Sequence, residues 1–149
     1  MSSPHFERFS DWPAAGERLP FEPRTPGETL GFDLSSLALW VRDARDREVE
    51  PERRVLEAHY GGFVFSQSQP GRGAALRQVR DVSYGANPRP TRIGGCEARE
   101  YARGPEPDAG DPDPRMPAVI VWAAGARFFM VASDRLDLEA LRRVARSVG

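Results

Sequence analysis

The stretch from Pro117 to Gly149 constrains this chain most, because it commits it to a sheet with a helix lying on it. Val119-Ile120-Val121-Trp122 and Arg127-Phe128-Phe129-Met130-Val131 are two apolar runs rich in β-branched and aromatic residues, joined by a short loop containing Gly125. Asp137 to Gly149 then reads as an amphipathic helix. Asp137 is placed as its N-cap, and Leu136 and Leu141 as a hydrophobic staple across that cap. Leu138, Leu141, Val144, Ala145 and Val148 fall on one face. A helix this short is marginal alone, so its apolar face must be buried on the preceding strands.

Upstream, strands dominate. Leu30 to Val41 approximates alternation with a slip at Ser35-Ser36, where a bulge is expected. Val55 to Tyr60 and Phe63 to Gln67 flank Gly61-Gly62, read as a tight turn that uses the freedom of glycine at positive φ. Thr91 to Ile93 and Cys96 to Tyr101 flank a second glycine pair. Leu76 to Tyr84 is read as another strand or an irregular segment. Residues 1–29 are rich in proline and charge. Ser3-Pro4 is placed as the cap of one helical turn bearing Phe6 and Phe9, with Trp12 nearby, followed by an extended arm. Residues 103–117, with five prolines and four acids, form a long loop. With no βαβ alternation, the expectation is an α+β fold. It has a twisted antiparallel sheet of about six to eight strands, a C-terminal helix on one face and a short N-terminal helical turn. Residues 1–29 are the arm and 30–149 the single domain.

At 149 residues the chain is long enough for one core. A formal net charge of −1 argues against nucleic acid as a partner. All 21 basic residues are arginine, matched by 22 acids, which fits a coding bias. One cysteine, Cys96, rules out an intrachain disulfide. No apolar run reaches the roughly 18 residues of a membrane span, and residues 1–20 lack a signal-peptide pattern. The chain is expected to be cytoplasmic, or extracytoplasmic if an anchor preceded Met1.

The chain offers little chemistry. Cys96 and His59 are its one conceivable nucleophile–base pair, without a surrounding catalytic motif. Two histidines and one cysteine without regular spacing do not make a zinc site. Glu106, Asp108, Asp111 and Asp113 are broken up by prolines, unlike a calcium loop. Gly71-Arg72-Gly73 is a fragment of a phosphate loop, but a chain without lysine has no Walker A site. No catalytic residue, metal or cofactor is expected, and no enzyme.

Several pieces nevertheless resemble a family. They are Val121-Trp122, Gly125, Phe128 to Val131, then Leu138, Leu141, Ala145, Ser147 and Val148. Upstream they include Phe65 to Gln69, Arg92 to Ala98, and the Pro-rich stretch from Leu19 to Phe32. In this order, over residues 19–148, the chain resembles an uncharacterised bacterial PsbP-like domain associated with sigma-factor regulators, and more distantly the lipoprotein-carrier half-barrels. The resemblance implies binding of a partner or ligand without catalysis, in an extracytoplasmic setting. The expectation is a non-catalytic interaction domain for an unknown protein partner, with Trp40, Trp122 and Phe128 as candidate anchors. The alternative is a carrier of a small apolar ligand or lipid, its pocket under the C-terminal helix lined by residues such as Leu39, Phe63, Phe65 and Phe129.

Overall fold

A computed structural model of the chain describes residues 5–43, 52–105 and 115–149. One antiparallel sheet runs through it. In chain order its strands are β1 (His5–Phe9), β2 (Leu34–Asp43), β3 (Glu52–Tyr60), β4 (Val64–Ser68), β5 (Pro88–Ile93), β6 (Cys96–Tyr101), β9 (Ala118–Ala124) and β10 (Arg127–Ser133). In space the order is β1-β2-β3-β4-β10-β9-β6-β5. The two-residue strands β7 (Gly104–Pro105) and β8 (Arg115–Met116) pair apart from it. Three helices complete the fold: α1 (Trp12–Gly16), α2 (Arg72–Asp81) and α3 (Leu138–Arg146).

The chain is α+β, and the expected C-terminal helix lies where its apolar stripe requires. Asp137 caps α3, its side chain accepting from the Ala140 N–H at 3.0 Å. Leu141, Val144 and Ala145 are buried, with Leu138 and Val148 half-buried beside them in the main core cluster. The slip near Ser35 is a register shift between Leu34 and Ser36.

Four readings need correction. Of the segment Leu76 to Tyr84, read as a strand or irregular, Leu76 to Asp81 belong to a helix, α2, and Val82 to Tyr84 follow it as irregular chain. Its Ala75 and Val79, one turn apart, face Val119, Val121 and Phe128 on the side of the sheet away from α3. Helices therefore cover both faces of the β9–β10 hairpin, and every residue from Ala118 to Ala123 is buried. The N-terminal helical turn sits at Trp12–Gly16, capped by Asp11, which accepts from Ala14 N–H at 2.9 Å. Phe6 and Phe9 instead lie in β1, which takes the free edge of β2 as its partner, so that alternation sends them to opposite faces. The cap expected at Ser3-Pro4 and the acidic residues Glu106 to Asp113 lie outside the described residues. Finally, Gly61 and Gly62 are not among the positive-φ glycines, whereas Gly94, Gly95 and Gly125 are. Gly62 is needed for space: a Cβ there would lie 2.4 Å from Phe32 Cζ.

Residues 17–30 cross the α3 face and end on α3 itself. Pro26 bridges Val148, Glu28 N–H donates to Ser147 Oγ at 2.9 Å, and Arg143 pairs with Glu28 at 2.6 Å. α3 is pinned to β6 by Glu100, whose buried carboxylate accepts two hydrogen bonds from Arg142, at 3.0 and 2.8 Å, and one from Arg89 at 2.8 Å. The bonds from Arg142, then that from Arg89, hold the Glu100 carboxyl below its ordinary range against the opposing effect of burial.

Two outcomes follow. Because the folded pKa of Glu100 is depressed, its contribution is present above the unfolded carboxylate pKa and is lost as pH falls through the folded value. Glu100→Gln should cost about 1–3 kcal/mol at neutral pH and flatten the acid limb of the stability curve in urea titrations across pH. An unchanged acid limb would rule Glu100 out as its source. Gly62→Ala should cost about 1–2 kcal/mol by displacing Phe32, while Gly61→Ala, with 3.3 Å to the same ring, costs much less.

Candidate functional site

The two sheet faces differ in how far they are covered. On the α3 face, α1, residues 17–30 and α3 lie over the sheet. On the other face, α2 packs on β9, β10 and β6, and the sheet beyond β10 has no covering layer among the described residues. Cross-strand register names what this open half presents. One rung runs Phe6, Trp40, Val55, Ser68, Phe128, and the next Arg8, Ala38, Glu57, Ser66, Met130. Where the open half meets the end of α2 there is a cleft of about 510 Å³. Trp40, Val55, Glu57, Ser66 and Ser68 form its floor, Phe128 and Met130 continue it on β10, and Gln78, Val82 and Tyr84 form the wall.

Local sequence explains the wall. Gly71, at φ 108°, turns the chain out of β4, and its N–H donates to the Ala126 carbonyl at 3.0 Å. Alanine, leucine, arginine and glutamine then favour helix. Val82 is extended at φ −106° and ψ 133° and ends the helix. Arg80 anchors its last turn through two bonds to Glu97, at 2.5 and 2.7 Å. Tyr84 closes the wall, its ring 5.6 Å from that of Phe128 and 6.2 Å from that of Tyr101.

The three candidate anchors are not one surface. Trp40 is 41% exposed, with Phe6 edge-on to it at 4.7 Å. Phe128 is 6% exposed and contributes to the floor of the cleft. Trp122 points to the other face, 4% exposed and stacked on Phe129 at 5.2 Å, so it offers a partner nothing. Sequence reading missed Val82, Tyr84 and Gln78 because it missed α2; the spacing of Ala75 and Val79 was the available signal.

The residues expected to line a pocket under the C-terminal helix are packed instead. Leu39, Phe63, Phe65 and Phe129 are buried in one cluster with Leu141, Val144 and Ala145, and Phe65 stacks on Phe129 at 6.0 Å. Cys96 and His59 are not brought together. They lie four strand places apart, roughly 19 Å, and on opposite faces: Cys96 packs against the α3-side core, while His59 shares a face with Glu57, 3.3 Å away. Gly71 does lie between β4 and α2, with Arg72 and Gly73 opening the helix, but its N–H already donates to the Ala126 carbonyl. Among the described residues, no group of three or more His, Cys, Asp or Glu side chains stands ready for a metal, and no helix is long and apolar enough to cross a membrane.

Compared with known proteins, the chain matches no family model, no curated protein and no solved structure. The resemblance to PsbP-like domains rests on the residues quoted for it.

Proposed function

We propose that this chain is a non-catalytic interaction domain that docks a protein partner on the open half of the sheet, around Trp40. One observation carries the reading. The large hydrophobic residues left exposed among the described residues, Phe6, Trp40 and Val82, border the same cleft face. Scattered exposed hydrophobics are ordinary, but a cluster beside a cleft marks a contact surface. Tryptophan is also the side chain most often found to dominate interface energy.

Charge narrows the partner. Among the described residues Glu57 is the one charged residue lining the cleft, and Arg8 stands outside it, over the Phe6 ring at 5.1 Å. A partner segment presenting an apolar side chain to Trp40 and a lysine or arginine to Glu57 fits this lining best. The PsbP-like resemblance supports the same class, a domain that binds without catalysing.

A second reading rests on the size of the cleft. About 510 Å³ lies within the range of small-molecule sites, roughly 300–1,000 Å³, so a flat apolar ligand on Trp40 is the alternative occupant.

Trp40→Glu separates these readings from none at all. Its melting midpoint should stay close to wild type, because the residue is at the surface; the cost should not exceed about 1.5 kcal/mol. Crosslinking in the native host should recover a partner with wild type and with Cys96→Ser, and lose it with Trp40→Glu. Retention by Trp40→Glu sinks the docking surface. A small molecule that travels with the wild type in native mass spectrometry, and is lost in this variant, favours the alternative.

A further inference from the structure

The α3 face holds an unbalanced pair of charges where residues 21–24 cross β4 and β10. Gln67, only 1% exposed, clamps this crossing. Its Oε1 accepts from the Arg24 N–H at 2.9 Å and its Nε2 donates to the Arg24 carbonyl at 2.8 Å. The clamp fixes the backbone of Arg24, whose guanidinium lies 5.5 Å from the centre of the Phe129 ring. Arg127, at the start of β10, brings a second guanidinium to 5.2 Å from the same centre and 4.3 Å from that of Phe21.

Arg127 is poorly compensated. Its Nη1 donates to the Glu22 carbonyl at 3.0 Å and its Nη2 to Gln67 Oε1 at 2.6 Å, both neutral acceptors. Its Nε is buried with no hydrogen-bond partner. Arg18, Arg80, Arg89, Arg142 and Arg143 each pair with a glutamate. Among the described residues no carboxylate pairs with Arg24 or Arg127. Burial, and then the charge of Arg24, push Arg127 down to about 10. A half-buried cation facing a second cation, with only rings and neutral oxygens around it, lacks the counter-charge that such groups normally find.

We propose that Arg24 and Arg127 form a binding site for an oxyanion, a carboxylate or a phosphate, held by the guanidinium N–H groups not spent on Glu22 and Gln67. Paired arginine forks match the planar, multidentate geometry of these anions. Phe21 and Phe129 hold the forks in place. The exposed Arg24 leaves the site open to solvent, on the face opposite the Trp40 cleft.

The test follows the arginine Nε–Hε resonances of the full-length protein while inorganic phosphate, or separately acetate, replaces chloride at constant ionic strength. Saturable shifts at Arg24 and Arg127 are expected. In Arg24→Ala, a surface change whose fold is checked by melting, the affinity read at Arg127 should fall about tenfold or more. Trp40→Glu should leave it unchanged. Tighter phosphate assigns a phosphate group as the ligand, and tighter acetate a carboxylate such as a peptide side chain. Linear, non-saturating shifts with both anions overturn the proposal, and so does an affinity that Arg24→Ala leaves intact.

Discussion

The burial of the β9–β10 hairpin on both faces is the constraint on which the rest of the structure depends. Antiparallel strands usually keep one face wet, and their sequences alternate. β9 does not alternate: Ala118 to Ala123 are apolar without a break, and all are buried. Such a strand needs a layer above and another below. α3 supplies one through Leu141, Val144 and Ala145, and α2 the other through Ala75 and Val79. The chain is thus three-layered at its centre, and its two faces diverge outward from there.

That divergence creates both candidate sites. On the α3 face, residues 17–30 extend the covering layer across β4 and β10, held by the Gln67 clamp and by bonds to Ser147. Covering a sheet with irregular chain brings backbone carbonyls and arginine side chains into a half-buried setting, which is how Arg127 comes to lack a counter-charge. On the other face, α2 is ten residues long and packs mainly on β9, β10 and β6. The sheet beyond it, with Trp40 on β2 beside Phe6 on β1, has no covering layer among the described residues. A cleft at the end of a helix, floored by an open sheet, results from a helix narrower than the sheet on which it rests.

Legibility in the sequence followed the strength of periodicity. α3 was readable because five apolar residues and a capping aspartate agree on one face. The glycine pair at 94–95 was readable because a two-residue hairpin needs positive φ, found at both. The pair at 61–62 looked the same but answers to a different demand, the ring of Phe32, which arrives from a loop nearly thirty residues away in sequence. α2 was obscured because its buried stripe consists of Ala75 and Val79 amid arginines, too weak a moment to stand out beside strand-like neighbours.

The sequence by itself determined the α+β class, the antiparallel sheet and the register of α3, because these depend on local alternation and spacing. It also excluded a Walker A lysine and an intrachain disulfide, because those residues are absent or single. Only the tertiary structure decided that Trp40 is exposed while Trp122 is buried, that Cys96 and His59 lie on opposite faces, and that Arg24 meets Arg127 over one phenylalanine. Each of these depends on which strands become neighbours and which face a distant segment covers, and such long-range pairing leaves no mark on the residues immediately beside them.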